Sequence, residues 1–393
     1  MQFDFDELVD RKNSNSYKWQ VRADELPMWV ADMDFKTAPC VVKAIEKRLL
    51  QDAFGYSIVS DDFKQSIIHW WQHRHHWTIQ PAWILFCTGA IPAISSMVRK
   101  LTEPNDKIVV LSPIYNIFYN SISNNQREII ESPMLYCEGN YQIDFADLEK
   151  KLADTKTSLL IFCNPHNPTG QIWDKTVLKR IGELCVKYQV TIISDELHCD
   201  LTHPNFCYTP LASISKAIEQ ITITCVSASK AFNLAGLQSS AIIIANETLR
   251  TLVERGINTD EVAEPNVFAI QAMQAAFDEG EEWLIALNQY LAKNLSYLQA
   301  FLKQKLPQIS LVSSQATYLA WLDCSQFCQN STELADFIRE KTGLIVSSGS
   351  IFRGNGASFL RLNYACPKVQ LSDGLTRLQQ AIIAYQKYKE CFK

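Results

Sequence analysis

The sequence predicts an α/β protein with a mostly parallel sheet, joined to a smaller α+β unit. Six short apolar runs alternate with helical segments in the middle of the chain, at residues 84–87, 107–111, 158–163, 190–194, 221–226 and 241–245. Continuous runs of Ile, Val and Leu that are connected by helices are typical of parallel strands covered on both faces. Right-handed crossover connections would place the loops after these strands on one edge of the sheet.

The elements before and between these strands follow from shorter patterns. We expect an irregular, partly helical arm over residues 1–25 and a strand-like segment over 26–35 that ends in two acids. A helix is predicted to begin near Pro39, because proline is favoured in the first turn of a helix. Spaced apolar residues predict an amphipathic helix over 61–77. Helices between the strands are predicted near residues 91–101, 118–124, 175–187 and 211–216.

The last third of the chain mixes strands and helices. A long helical region is predicted over 266–305, a helix near 332–342 and a final helix that ends near Lys389. Short strands are predicted at 310–312, 317–323, 344–347 and 358–363. We expect these elements and the N-terminal arm to form the smaller unit, so that the large domain covers residues 51–285 and the small domain combines 1–50 with 286–393.

The composition describes an ordinary globular chain. It has 393 residues, 47% of them hydrophobic and 20% charged, with a net charge of −5. No basic patch indicates nucleic acid, and neither a polybasic segment nor a long apolar run indicates a membrane. The first residues are acidic, unlike a signal peptide, and the 12 cysteines form no CxxC pair. We therefore expect a reducing, cytoplasmic location.

A lysine follows one of the predicted strands. Lys230 comes after the run 221–226, next to Ser229 and close to Ser227, and a turn of small residues follows. Partial burial and a neighbouring cation lower the pKa of a lysine, which can then form a Schiff base. The two serines offer hydroxyl groups to a phosphate. The same residues are also compatible with an ordinary surface turn.

Two more polar side chains lie where predicted strands end. Asn167 belongs to the turn Asn164-Pro-His-Asn-Pro-Thr-Gly170 and either projects its amide towards a ligand or belongs to a plain strand-to-helix connection. Asp195 ends the next run, and buried acids are rare without a partner. It therefore forms a structural pair or holds a cationic group, such as the N–H of a pyridinium ring.

An anion site and a carboxylate site are also compatible with the sequence. Gly89 and Ala90 precede a predicted helix, whose N-terminal amides favour an anion, although such a turn is common. Arg361 lies in an alternating strand, and its planar guanidinium suits a substrate carboxylate. A surface ion pair is the alternative for this arginine.

The four motifs N-P-x-N-P-T-G, D-E-x-H, S-x-S-K and R-L-N-x-A occur in this order. Together they resemble the fold-type I pyridoxal-phosphate enzymes of the class I/II aminotransferase superfamily, over nearly the whole chain. Segments 27–34, 55–57, 195–198, 229–237 and 361–366 are similar to the MalY/PatB branch, which consists of cystathionine β-lyases, also described as cysteine C–S lyases. The resemblance implies that pyridoxal 5′-phosphate is the cofactor and that the large domain has seven strands.

The resemblance also implies roles around the cofactor ring. Lys230 would form the Schiff base with the cofactor and later move a proton. Asp195 would pair with the ring nitrogen and Asn167 with the ring O3′. His198 stands where many aminotransferases have a tyrosine near that oxygen, and Tyr115 would stack on the ring.

Further roles concern the phosphate, the substrate and a second subunit. The resemblance implies that Gly89, Ala90, Ser227 and Ser229 surround the phosphate. Tyr56 would reach the same site from the neighbouring subunit of a homodimer and take part in catalysis. Arg361 would bind the carboxylate of a small amino-acid substrate, which Ala31 and Asp32 would also contact. Many aminotransferases have a phosphate-binding arginine where this chain has Gln238, which disfavours an ordinary aminotransferase.

Two reactions and one non-catalytic role are compatible with these residues. The leading hypothesis is β-elimination from a cysteine thioether, and the alternative is transamination, which shares the early steps. A regulatory protein that keeps the fold is disfavoured by the complete set Asn167, Asp195, Lys230 and Arg361. The histidines at positions 69, 73, 75 and 76 lack a matching set of ligands, so we expect a solvated helix face and no metal site.

Overall fold

The computed structural model describes residues 3–390. Its helices and strands, in chain order, are β1 (Leu26–Pro27), α1 (Pro39–Leu49), α2 (Asp61–His75), β2 (Ile84–Cys87), α3 (Ala90–Leu101), β3 (Lys107–Ser112), α4 (Asn116–Ser123), β4 (Glu128–Pro133), β5 (Leu135–Cys137), β6 (Asn140–Gln142), α5 (Phe145–Leu152), β7 (Thr157–Cys163), α6 (Lys175–Tyr188), β8 (Thr191–Asp195), α7 (Lys216–Glu219), β9 (Thr222–Val226), β10 (Ser240–Ile244), α8 (Glu247–Thr259), α9 (Ala269–Glu279), α10 (Glu281–Lys305), β11 (Ser310–Leu311), β12 (Leu319–Asp323), α11 (Ser331–Thr342), β13 (Leu344–Ile345), β14 (Ser347–Ser348), β15 (Phe359–Asn363) and α12 (Lys368–Glu390).

The large sheet has seven strands in the order β2-β10-β9-β8-β7-β3-β4. Five neighbouring strands of this sheet are parallel to one another: β9, β8, β7, β3 and β4. Strand β10 is antiparallel to both β9 and β2. The predicted mostly parallel sheet is therefore confirmed. The sequence did not predict β4, because Glu128 and Glu131 flank its two isoleucines, as is common at the edge of a sheet.

Alternate residues of the central strands pack on opposite faces of this sheet. Ile108 and Val110 of β3 contact the core beneath α3, α4 and α8. Val109 and Leu111 contact the other core, beneath α5 and α6. Because both faces are covered, the strands consist of continuous apolar runs rather than alternating ones.

Three predicted helices differ from the structure. The predicted helix over 211–216 is wrong, because Leu211–Ser213 form a 3-10 turn and Ser215 caps the separate short helix α7. The helical region over 266–305 consists of α9 and α10, which Gly280 separates. The helix predicted over 61–77 ends at His75, because His76 adopts a left-handed φ of 53°.

A second, antiparallel sheet lies in the C-terminal part of the chain, with the strand order β11-β12-β15-β14. The short strand β1 pairs in parallel with β13, so that Leu26 lies opposite Leu344. The N-terminal arm therefore packs against C-terminal elements, while the domain boundaries given above stay a prediction. Within residues 3–390, no helix is long and apolar enough to cross a membrane.

Candidate active site

Most of the predicted site residues lie on one edge of the large sheet. The parallel strands β3, β7, β8 and β9 all end there, and the carboxyl end of β2 joins them because β10 is antiparallel to both of its neighbours. The residues at this edge are Gly89 and Ala90 after β2, Tyr115 after β3, Asn167 after β7, Asp195 at the end of β8, and Ser227, Ser229 and Lys230 after β9.

Asp195 is a buried carboxylate with few partners. Its side chain accepts a hydrogen bond from the backbone N–H of Leu197, at 3.2 Å. Burial raises the pKa of Asp195 to about 6, although the Leu197 N–H and the charge of Lys230 act in the opposite direction. A cationic N–H directed at this carboxylate would offset the cost of burial and return its pKa to a lower value.

Arg361 brings a second charge into the site from β15 of the other sheet. Its Nη1 donates to Oδ1 of Asn167 at 3.1 Å, and its Nη2 donates to the carbonyl of Trp29 at 2.9 Å. The side chain is buried, and within the described part of the chain its Nε has no hydrogen-bond partner. Burial lowers the pKa of Arg361 to about 10. These features exclude the surface ion pair that the sequence left open and suit an anionic ligand.

Lys230 is close enough to both of these charged groups for each to affect its pKa. Its Nζ donates to the backbone carbonyl of Ala31 at 2.9 Å. Burial and the nearby Arg361 lower the pKa of Lys230, while Asp195 and Asp32 act in the opposite direction. A lowered pKa increases the fraction of free amine, which is the nucleophilic and basic form.

The residues predicted to surround a phosphate form a neutral cradle. Gly89 is the N-cap of α3, so the first amides of that helix point towards this region. The hydroxyl of Ser227 accepts from the N–H of Ser229 at 3.0 Å and donates to the carbonyl of Ser239 at 2.6 Å. Gln238 has an exposed side chain and a left-handed φ of 51°. Helix amides and hydroxyls are therefore the groups that these residues offer to an anion.

His198 and Tyr115 contribute neutral rings to the site. Nδ1 of His198 has no hydrogen-bond partner among the residues described, although the side chain is buried. Burial lowers the pKa of His198 to about 3, and Lys230 and Arg361 add to this effect, so the imidazole is neutral at physiological pH. Tyr115 is half-buried, its ring meets that of Phe118 edge-on, and burial raises its pKa.

Tyr56 stands apart from these residues. Its side chain is fully exposed, at 101% of the reference area, in an irregular segment between α1 and α2. Leu50, Phe54 and Ile58 near it are also exposed. The single chain thus does not bring Tyr56 into the site, and the expected role across a subunit interface stays a prediction.

Ala31 and Asp32 belong to an irregular segment, residues 29–34, which we call the strap. Nδ2 of Asn363 donates to the carbonyls of Val30 and Asp32, each at 2.6 Å. Asn233 accepts from the N–H of Met33 at 2.9 Å and donates to its carbonyl at 3.0 Å. The strap is therefore held by side chains rather than by strand pairing.

Three residues of this region were missed from the sequence. Asn233 and Asn363 lie inside the motifs that contain Lys230 and Arg361, so their proximity to the site could have been inferred. Tyr318 donates its hydroxyl to the Ala31 carbonyl at 3.0 Å, in the same place as Lys230. Nothing in the sequence around Tyr318 distinguishes it from a core tyrosine.

A second buried acid lies beside Asp195. Glu196 accepts from the hydroxyl of Ser194 at 2.7 Å, from the N–H of Leu211 at 3.2 Å and from the hydroxyl of Tyr208. Burial raises the pKa of Glu196 to about 8, and the charge of Asp195 adds to the rise. Glu196 is therefore mostly a neutral acid at pH 7, next to a carboxylate that ionises more readily.

The histidine-rich part of α2 contains one buried member. Nε2 of His75 lies 3.0 Å from Oδ1 of Asp200. With Cys199 these residues form a group whose possible metal-ligand atoms all lie within 4.8 Å of one another. Trp70 and Arg74 also donate to Asp200, at 3.0 and 3.2 Å. The arginine already neutralises this carboxylate, so the group is better described as a buried ion pair than as a metal site.

Comparisons with known proteins agree with this geometry. A family model described as aminotransferase class I and II matches residues 24–378. Cystathionine beta-lyase PatB of Bacillus subtilis is 39% identical, over 96% of this chain and 99% of that protein, and protein MalY of Escherichia coli is 31% identical, over 97% and 99%. The structure of cystalysin from Treponema denticola, which contains pyridoxal 5′-phosphate, is 32% identical with a TM-score of 0.95 and covers 98% of this chain and 100% of that chain.

Proposed function

Because this chain belongs to the class I and II aminotransferase family, in the branch of the MalY and PatB proteins, we propose that it is a pyridoxal-phosphate-dependent carbon–sulfur lyase. Its substrates are cysteine thioethers, either cystathionine or other cysteine S-conjugates. One observation carries this proposal: Lys230 donates to the Ala31 carbonyl in a site where its amine interacts with both the buried carboxylate of Asp195 and the buried guanidinium of Arg361.

The residues fit the cofactor. When bound, pyridoxal 5′-phosphate supplies an aldehyde that condenses with amines and a protonated ring that withdraws electrons. The under-bonded carboxylate of Asp195 is suited to the ring N–H. Asn167 would hold the ring oxygen, and the neutral His198 would offer its Nδ1, which has no partner among the described residues. The amides at Gly89 and Ala90 and the hydroxyls of Ser227 and Ser229 are the proposed phosphate ligands.

Lys230 acts as the base of the reaction. Its lowered pKa increases the fraction of free amine, and the free amine removes the proton from the α-carbon of the substrate. Arg361 binds the α-carboxylate through its unpaired Nε–H and thereby orients the Cα–H bond towards the amine. The electron pair left by the proton expels the thiolate from the β-carbon. With one water molecule consumed, the products are the thiol, pyruvate and ammonia.

The test measures elimination and transamination in the same samples. Purified protein is incubated with cystathionine and a panel of cysteine S-conjugates, with and without an α-keto acid, and pyruvate, free thiol and new amino acid are quantified. We expect pyruvate and thiol in equal amounts and little dependence on the keto acid. Amino acid formed faster than pyruvate would identify an aminotransferase instead, and the Lys230→Ala variant measures the background.

We extend the proposal to a homodimer with shared active sites. The apolar residues Leu50, Phe54 and Ile58 are close to Tyr56 in sequence and, like it, are exposed. Several exposed apolar residues in one segment are typical of a contact with another protein surface. A second copy of the chain that covers this patch would bring Tyr56 to the phosphate of the facing site.

Mixed dimers test this arrangement. Tyr56→Phe and Lys230→Ala chains carrying different tags are co-expressed, and the mixed dimer is isolated with both tags. It contains one intact site, made of Lys230 from one chain and Tyr56 from the other, so we expect about half of the wild-type activity per dimer, far above either parent. Inactive mixed dimers, or a fully active monomer in sizing experiments, would contradict the shared site.

A further inference from the structure

The carboxylate of Asp34 joins the end of the strap to the N-terminal arm and to α12. This side chain is 2% exposed and accepts four hydrogen bonds. They come from a group that we call the clasp: Lys18 at 2.8 Å, Arg11 at 2.9 Å, Trp19 Nε1 at 2.8 Å and Gln370 Nε2 at 2.7 Å. The clasp joins the N-terminal arm and α12 to the strap.

The charges of this cluster are balanced. Lys18 is 1% exposed, and Arg11 bonds to Asp32 at 2.9 Å as well as to Asp34. Burial alone would raise the pKa of Asp34, but Lys18 and the other donors outweigh it and lower this pKa. Buried ion pairs contribute little net stability compared with apolar residues of similar size, yet they specify one geometry. The cluster is therefore suited to fixing a position.

The cluster fixes the strap close to the Ala31 carbonyl, which accepts a hydrogen bond from the Lys230 amine. The Ala31 carbonyl lies three residues before Asp34 and accepts from both Lys230 and Tyr318. The strap is irregular at this point, so the direction of that carbonyl depends on side-chain contacts at its two ends. Asn233 and Asn363 bond to the backbone of the strap at residues 30, 32 and 33, and the clasp bonds to the side chain of Asp34.

We propose that Asp34 is a positioning residue: with the clasp, it locks the strap so that the Ala31 carbonyl holds the free amine of Lys230 close to the reacting atoms. The inference rests on the proposed function only in that Lys230 is the base. The free amine must stay close to the α-carbon of the substrate to take its proton, and a fixed acceptor keeps it there. Without the lock, the amine moves and the proton transfer becomes slower.

Two variants weaken the lock. Lys18→Met keeps the length of the side chain and leaves Arg11 as the cation that is bonded to both Asp32 and Asp34. The double variant Lys18→Met with Asp34→Asn removes one charge of each sign. The matched control is Glu25→Gln, which breaks another fully buried acid of the same arm, bonded to Arg339 at 2.7 Å and without contact to the strap.

The first measurement follows Lys230 directly. The full-length chain is freed of its cofactor and labelled with a trace of acetic anhydride, and mass spectrometry gives the labelling rate of Lys230 relative to exposed lysines. We expect the rate to rise about fivefold in both clasp variants, as for the loss of one ordinary hydrogen bond, and to stay unchanged in Glu25→Gln. An unchanged rate in folded clasp variants, or an equal rise in the control, would overturn the proposal.

The second measurement uses the holoenzyme. We expect kcat for thioether elimination to fall about fivefold to tenfold in the clasp variants while KM stays within about twofold, because proton transfer is affected and carboxylate binding is not. A rise in KM with unchanged kcat would show that the strap only binds substrate and would overturn the proposal. The labelling result does not depend on the substrate, so failure of the proposed lyase activity is distinguishable from failure of the lock.

Discussion

The edge of the large sheet and the strap hold their residues by different kinds of contact. At the edge, Asp195 ends a central strand that is hydrogen-bonded on both sides by β7 and β9. On the strap, the backbone at Ala31 depends on side chains that come from positions about 200 and 330 residues away, Asn233 and Asn363. The first arrangement is rigid because of the sheet, and the second because several polar side chains meet.

This difference indicates what each region contributes. The sheet edge supplies fixed charges and dipoles, which stabilise charge that develops during the reaction. The strap supplies a position for the Lys230 amine, which must move between steps. Changes at the edge should therefore abolish chemistry with little effect on folding, whereas changes at the strap should weaken both moderately.

Asp195→Asn is expected to have the largest effect on activity. An amide cannot hold a cationic ring N–H as the carboxylate does, so we expect kcat/KM for thioether elimination to fall by about 10²–10³-fold. Burial raises the pKa of Asp195, which means that the folded chain disfavours the charged carboxylate. Replacing it with a neutral residue should therefore not lower the free energy of unfolding. Steady-state kinetics and chemical denaturation measure the two quantities.

The control for this variant is an aspartate with the opposite role. Asp174 caps α6 by accepting from the N–H groups of Thr176 and Val177. Asp174→Ala should lower the free energy of unfolding by about 1 kcal/mol and leave kcat/KM unchanged. If Asp195→Asn lost stability and kept its activity, the prediction that changes at the sheet edge affect chemistry rather than folding would be wrong.

Asn363→Ala is expected to have an intermediate effect on both quantities. It removes the two hydrogen bonds to the strap and leaves the carbonyls of Val30 and Asp32 without that donor. We expect the free energy of unfolding to fall by about 2–3 kcal/mol and kcat to fall about tenfold. Ser347→Ala removes a single bond to the carbonyl of Trp29, at 3.1 Å, and should cost less in both measurements.

An Asn363→Ala variant that loses stability but keeps the wild-type kcat would show that the strap is purely structural. A Ser347→Ala variant that loses as much activity as Asn363→Ala would show that contact with any part of the strap matters. Either result would remove the difference between the strap and an ordinary loop.

The sheet edge could be predicted from the sequence, and the clasp could not. The continuous apolar strands are local signals, and parallel strands necessarily bring their following loops to one edge. The placement of Asn167, Asp195 and Lys230 on that edge follows from this rule alone. Their chemical roles came from the resemblance to a family and are still to be tested.

The contacts of the strap join residues that are far apart in sequence. Lys18 and Gln370 are polar residues in segments where apolar residues flank them on both sides. A polar side chain at such a position is expected on the surface, although Lys18 is 1% exposed. For Arg361 the sequence is compatible with both a surface ion pair and a ligand site, because the burial of a side chain cannot be inferred from one strand. Such residues are found only when the partner that balances their charge is known.

Glu196→Gln tests the charge at the sheet edge through the pH dependence of stability. Glutamate has an ordinary pKa of 4.5, and burial raises the pKa of Glu196 to about 8 in the folded chain. Between these values the folded state retains a proton that the unfolded state has lost, so this group makes the free energy of unfolding fall as the pH rises from about 4.5 to 8. Glutamine cannot ionise, and it can still accept from Ser194 and Leu211.

We therefore expect the difference in free energy of unfolding between Glu196→Gln and the wild type to shift in favour of the variant by a few kcal/mol between about pH 5 and pH 8. Urea denaturation at several pH values measures it. Glu25→Gln is the matched control: the hydrogen bond from Arg339 lowers the pKa of Glu25 to about 2, so its contribution is lost only as the pH falls from about 4.5 to 2. Parallel curves for Glu196→Gln and the wild type above pH 5 would show that Glu196 is ionised beside Asp195, and the sheet edge would then carry two charges instead of one.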